Sequence, residues 1–195
     1  MDAQQPDEAL MLLYGEGDTG AFELLYHRHK GGVYRYIKRN VGLRIDGDEL
    51  VQEVWAKVIK ASSTYRVSAK FTTWLYTIAH HCIVDAVRKH PHTFESLADE
   101  NGEDTDALVE SRKRNDNPMS SVSVKQQVDR LIQILSILPE DQRDVFLLKH
   151  EAGFSVKEIA EVIGVGEETA KTRLRYAMQK IRTSLENEGG QNHER

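Results

Sequence analysis

Between Lys171 and Arg182 the sequence lines up side chains suited to reading nucleic acid. On a helix, Lys171, Thr172, Arg175, Tyr176, Gln179 and Arg182 share one face, with Arg173 and Lys180 on its flank. A forked guanidinium matches the two acceptors of a guanine edge, and flanking cations attract phosphates whatever the sequence. A second set, Tyr65, Phe71, Trp74 and Tyr76 with Arg66, Lys70, Arg88 and Lys89, has the chemistry of a single-strand platform, on which rings stack bases and cations hold the backbone. Core packing serves Trp74 equally well. A third set, the carboxylates of Asp46, Asp48, Glu49 and Glu53, raises the question of a metal site or an acid/base pair. No histidine or further acid is spaced to complete a shell, and the acids do not converge on one face, so a nuclease or other metal enzyme is poorly supported. His80, His81 and Cys82 are consecutive and point in different directions on a helix. With no phosphate-cradling glycine loop and no nucleophile beside a matching base, no catalytic residue, metal or cofactor is expected.

The first set is positioned by a bend between two helices. Ser155 with Glu158 three residues on is a capping box, which starts a short helix through Ile159, Ala160, Val162 and Ile163. Gly164 ends it, and Val165 and Gly166 make the turn. A second helix follows, with apolar residues at Ala170, Leu174, Ala177, Met178, Ile181 and Leu185. Small Ala160 lets the two helices approach at the bend. A hairpin of two helices with a merely solvated face would show some of these features. Capping box, small residue, glycine turn and basic outer face together favour a DNA-binding helix-turn-helix.

The remaining sequence is organised around two such units. The 195 residues have room for one domain or two small ones, and 39% apolar content suits small helical units. The net charge of −5 argues against a general nucleic-acid coat, but its distribution is uneven. Positions 28, 30, 35, 38, 39 and 44 are basic with no acid among residues 27–44, whereas positions 95, 99, 100, 103, 104, 106, 110 and 116 are acidic. Residues 93–121 therefore read as a polar, acidic, flexible connector. Ahead of it, helical periods dominate residues 7–92: a short helix over Glu8 to Tyr14, one capped at Asp18 or Thr19, and an acidic-start helix from Asp46. On the last, Leu50, Val51, Val54, Val58 and Ile59 share the inward side, with Trp55 at its edge. Behind the connector, Val128, Leu131, Ile132, Leu135 and Leu138 keep helical spacing, and Pro139 fits the first position of a helix whose Val145, Phe146, Leu147 and Leu148 supply core. The expected fold is all-α, two small helical domains at 7–92 and 122–186 on a flexible acidic linker. One cysteine excludes an internal disulfide. The acidic N-terminus lacks a signal pattern and no run reaches bilayer length, so a soluble cytoplasmic protein without a membrane partner is expected.

In this order, DGDELVQEVWAKV, FTTWLYTIAHHCIVDAVRK and LPEDQRDVFLLKHEAGFSVKEIAEVIGVGEETAKTRLRYAMQKIR resemble the extracytoplasmic-function (ECF) sigma factors of the sigma-70 family of bacterial RNA polymerase. The likeness covers nearly all of both folded segments. It implies a sigma region 2 followed by a sigma region 4, and a transcription initiation factor rather than an enzyme. By resemblance, Asp46, Asp48, Glu49, Gln52, Glu53 and Trp55 dock on the largest subunit of core polymerase. Arg66, Lys70, Phe71, Trp74, Tyr76, His80, Asp85, Arg88 and Lys89 recognise and melt the −10 element, with a flipped base held in a loop pocket. Glu168, Thr169, Lys171, Thr172, Arg173, Arg175, Tyr176 and Lys180 read the −35 element as duplex. Core RNA polymerase, promoter DNA and an anti-sigma factor are the implied partners.

The chain departs from the family pattern at Val67-Ser68, where Gly-Asp is frequent, and at Thr72, Thr77 and His80, where arginine is frequent. Fewer fixed cations weaken phosphate contacts there. The competing reading is a stand-alone helix-turn-helix regulator like the output domain of LuxR-type activators, which would bind duplex unaided and have no use for the acidic helix.

Overall fold

The computed structural model describes residues 5–42, 45–89 and 132–191, with side chains through 186, and all regular structure among them is helical. The N-terminal bundle comprises α1 (Asp7–Gly15), α2 (Thr19–Val41), α3 (Gly47–Ala61), a 3₁₀ turn (Ser62–Thr64) and α4 (Phe71–Lys89). A helical segment at 132–136 leads into α5 (Glu140–Glu151), α6 (Val156–Ile163) and α7 (Glu167–Gln191). The expected connector at 93–121, and Val128 and Leu131 beyond it, lie outside the described residues.

Helix starts follow local chemistry. The Asp18 carboxylate accepts from the Gly20 and Ala21 amides at 3.0 and 3.3 Å. Asp46 accepts from Asp48 and Glu49 at 2.8 and 3.2 Å, so it caps α3 rather than standing with the acids of its outer face. Pro139 is the extended residue before α5, at ψ 147°, one place earlier than expected; its carbonyl accepts the Arg143 amide at 2.9 Å.

Leu10, Met11, Leu25, Val33, Ile37, Val54, Val58, Phe71 and Leu75 form the core of the N-terminal bundle. Trp55 is turned fully into this core, with Phe22 and Tyr26 edge-on at 6.0 and 4.9 Å, while Ile59 is 45% exposed. The inward stripe of α3 thus runs 50, 54, 55, 58, because the large indole claims the place the aliphatic wheel gave to Ile59. In the C-terminal unit Ile134, Leu135, Leu138, Val145, Leu147, Leu148, Ile159 and Val162 are buried. Phe146, expected to supply core, is half-buried, as is Ile132.

The two units are not separate in space. Helix α5 packs on α2, and α6 packs on α4. Tyr36, Asn40, Arg143 and Asp144 are buried at this junction, where one Arg143 nitrogen donates to the Asn40 carbonyl at 3.0 Å and the other to Leu138 at 3.2 Å.

Candidate polymerase and nucleic-acid interfaces

Three surfaces carry the residues singled out by the sequence. The first is the bend between α6 and α7. Ser155 and Glu158 cap reciprocally: the Glu158 amide donates to Ser155 Oγ at 3.3 Å, and the Ser155 amide to Glu158 Oε2 at 2.9 Å. The Glu158 carboxyl is pulled down to about 2, by the bond from Lys70 first and the Ser155 bonds next. Gly164 turns the chain at φ 68°, ψ 35°, the left-handed region where a side chain is strained, and the next amide returns to the Ala160 carbonyl at 3.1 Å. Ala160, Ala170 and Ala177 are buried where α6 meets α7.

On the outer face of α7, Glu168, Thr169, Lys171, Arg175, Tyr176 and Lys180 are exposed and Thr172 is half-buried. The Arg175 guanidinium lies 5.1 Å from the Tyr176 ring, which preorganises its fork. Lys171 approaches Glu168 at 3.4 Å, and Arg173 is tied to Asp141 at 3.1 Å. The inward stripe of α7 is shorter than its apolar spacing implied. Met178 and Leu185 are exposed at 41% and 42%, because buried positions on this helix end at Ala177.

The second surface is the outer side of α3. Glu49 and Gln52 are exposed; Asp48 is held by Lys38 and Glu53 by Lys57, both at 2.8 Å. Trp55, grouped with these residues by motif, faces inward and holds the helix rather than presenting a ring.

The third surrounds α4, and it divides. Phe71 is fully buried with its amide donating to Glu8 at 2.6 Å. Trp74 is half-buried, 5.0 Å from the Tyr65 ring and 5.7 Å from Phe71, so packing and an exposed edge coexist in one side chain. Arg66, Asp85, Arg88 and Lys89 are exposed; Arg66 folds back onto the Tyr65 carbonyl at 2.9 Å. Lys70, Tyr76 and His80 instead meet the C-terminal unit. Lys70 pairs with Glu158 at 2.7 Å, and Tyr76 sits between Tyr36 and Phe154 at 5.2 and 5.3 Å. Burial pushes the Tyr76 phenol up to about 12. Gly32 makes room for it, since a Cβ there would come within 2.8 Å of the hydroxyl. His80 Nδ1 lies 2.9 Å from Asp144 Oδ2 but makes no hydrogen bond to it.

Sequence reasoning missed the residues of this junction: Arg35, Arg39, Asp144 and Glu151. Its one legible trace is the Arg143-Asp144 pair set directly against the apolar run Val145 to Leu148. No group of three or more histidine, cysteine or acidic side chains is placed to hold a metal among the described residues, and no helix among them is long and apolar enough to cross a membrane.

Comparison with known proteins accounts for both halves. Residues 25–93 match the model of sigma-70 region 2, and residues 128–181 that of sigma-70 region 4. The ECF RNA polymerase sigma-E factor of Escherichia coli K12 is 31% identical over 186 residues, covering 93% of this chain and 95% of that protein. The sigma-E factor of Haemophilus influenzae is 28% identical over 194 residues, covering 95% and 98%. Among solved structures, CnrH in complex with the cytosolic domain of CnrY superposes at TM-score 0.68 with 20% identity, over 95% of this chain and 99% of that one. The sigma factor RpoE in complex with the anti-sigma factor NepR from Bartonella quintana gives 0.64 and 18%, over 85% and 96%. A stand-alone helix-turn-helix regulator accounts only for the C-terminal match, whereas region 2, region 4 and their order are all present here. The chain belongs to the extracytoplasmic-function sigma factors, RNA polymerase sigma factors of the sigma-70 family.

Proposed function

We propose a division of labour within this sigma factor, whose general task is to direct core RNA polymerase to promoters and start transcription. Residues 7–92 act as region 2, residues 122–186 as region 4, and the acidic stretch 93–121 joins them. The outer side of α3, with Asp48, Glu49, Gln52 and Glu53, docks on the polymerase; Asp46 and Trp55 serve that surface from beneath, by capping and by packing. Helix α4 and the residues before it, from Arg66 to Lys89, take the −10 element as single strand, and α7 reads the −35 element as duplex through Lys171, Thr172, Arg175 and Tyr176. Arg173 and Lys180 add phosphate contacts, and Glu168 and Thr169 lie at the groove-entering end. The observation that carries this reading is a pair of outward surfaces of opposite charge on one chain: acids on α3 for a protein, cations on α7 for DNA.

Energetically the scheme needs no ATP. Bases that have left the stack cost less to hold on side chains than bases in duplex, so capture of the strand pulls the opening equilibrium forward. The factor itself has no catalytic residue in this scheme; the polymerase does the chemistry, in the cytoplasm. An anti-sigma factor completes the expected partners, as NepR is for RpoE of Bartonella quintana.

The test is to mix the full chain with bacterial core polymerase, separate by size, and assay promoter-dependent transcription beside a Glu49→Lys, Gln52→Glu variant. Both positions are exposed, so the variant folds. Co-elution and transcription that the variant loses support the assignment. Equal binding to core by both proteins removes α3 as the docking surface.

A further inference from the structure

The loop that enters α4 is set from outside itself. Tyr65 and Phe71 are buried, with their rings 6.3 Å apart, and residues 66–70 between them are all exposed. Val67, Ser68 and Ala69 make no hydrogen bond to any described residue. The shape of the loop is therefore decided at its two ends, and α1 holds both. At the far end, α4 starts without a cap from its own sequence: Lys70 stands at the capping place, where an ammonium cannot accept an amide, and the first turn has no acid. Glu8 takes that part across 63 residues of chain, its Oε1 accepting the Phe71 amide at 2.6 Å and its charge facing the positive end of the helix. At the near end, the Ser62 carbonyl accepts the Tyr65 amide at 3.3 Å. Gly15 lies so close to that carbonyl that a Cβ would come within 2.8 Å of its oxygen, and backbone would have to move. Glu8, Met11 and Gly15 recur at helical spacing, so one face of α1, about 10 Å from Glu8 to Gly15, reaches both ends of the loop with buried Met11 between them. The helix is itself fixed to α2, where Asp7 meets Arg28 at 2.5 Å and His29 at 2.7 Å.

We propose that α1 is a brace for this loop: Glu8 and Gly15 are positioning residues that act through the Phe71 amide and the Ser62 carbonyl to hold residues 66–70 in the one shape that discriminates between bases. Helix α1 lies ahead of residues 25–93, the part that matches region 2. The proposal rests on the assignment of Arg66 to Lys89 to the −10 element, and it places the base selectivity of that surface under the control of a helix that need not touch DNA. Affinity and selectivity separate by charge and shape. Arg88 and Lys89, exposed at the other end of α4, attract phosphates whatever the loop does, whereas a loop tells one base from another only while its walls stay in place. Loss of the brace removes the selectivity and leaves the affinity.

The test uses holoenzyme assembled from the full chain and core polymerase, which selects single strands of about 16 nucleotides from a fully randomised pool; the retained strands are counted and sequenced. Core association reports the folding of each variant. Wild type enriches a motif in which at least one position favours its base about fivefold or more. Glu8→Ala and Gly15→Ala assemble with core and retain total strand within about twofold of wild type, but flatten the preference at that position to less than about twofold. Glu8→Gln keeps an oxygen for the Phe71 amide and retains the preference. Glu8→Ala decides alone where Gly15→Ala does not assemble. An unchanged preference in an alanine variant that assembles overturns the proposal, as does a glutamine variant as flat as the alanine. Equal loss of strand and of core association by Glu8→Ala, with the motif intact in what remains, makes α1 a purely structural helix and overturns it as well. A wild-type holoenzyme that enriches no motif removes the −10 assignment and this proposal with it; a motif kept by every variant confines the failure to the brace.

Discussion

Tyr36 donates its hydroxyl to Asp144 Oδ1 at 2.5 Å, a bond between residues 108 positions apart that joins α2 to α5. Tyr36 is fully buried, and burial first, then the Asp144 charge, push its phenol well above the ordinary value. It therefore stays a neutral donor at any working pH. Tyr36→Phe keeps the ring and removes the donor, leaving a buried carboxylate short of a partner. The expected loss is about 1–3 kcal/mol, read from urea unfolding of the full chain. An unchanged midpoint would show that Asp144 sits in water and that the two units do not dock this way.

The capping box ties local helix formation to the same junction. Ser155→Ala removes the acceptor for the Glu158 amide and is expected to cost about 1 kcal/mol. The Glu158 carboxyl, depressed from 4.5 to about 2, contributes stability that is complete above its unfolded value and disappears as pH falls through about 2. Because the Lys70 bond is the largest cause, Lys70→Ala should raise the Glu158 titration midpoint more than Ser155→Ala does. Carbon-detected NMR titration of the side-chain carboxyl measures both; the reverse order would mean that Lys70 points to solvent.

Trp55 and Glu49 belong to one sequence motif but occupy opposite sides of α3. Trp55→Ala opens a cavity beside Phe22 and Tyr26 and is expected to cost about 3–5 kcal/mol. Glu49→Lys, on an exposed position, should change stability by no more than about 0.5 kcal/mol while weakening association with core polymerase. Thermal melts beside a core-binding assay separate the two. A well-folded Trp55→Ala chain would return the indole to the surface.

Helix existence and the bend at Gly164 were legible because they are set locally, by caps, a left-handed glycine and a 3.6-residue period. The outer faces of α3 and α7 were legible for the same reason: exposure follows from the stripe opposite. Errors came where a neighbour decides. Ile59 yields to Trp55 because the indole fills the gap beside Tyr26, and Met178 and Leu185 are uncovered because nothing described lies over the end of α7. The docking of the two units was not legible at all. It rests on charges such as Arg35 and Glu151, which on a helical wheel look like any solvated face.

On α7 the division between reading and attraction is a matter of side-chain shape. Arg175 presents a planar fork steadied by Tyr176, whereas Lys180, one helical turn beyond Tyr176, is an exposed point charge. Arg175→Ala should therefore cost about 1–3 kcal/mol on cognate −35 duplex and much less on random duplex, so discrimination falls with affinity. Lys180→Ala should weaken both duplexes alike and lower the salt slope of binding by about one. Titration of labelled duplexes over a range of salt concentrations, with the isolated factor or with holoenzyme, gives both quantities. Parallel losses on cognate and random DNA for Arg175→Ala would reduce that arginine to another phosphate contact and leave base reading to Lys171, Thr172 and Tyr176.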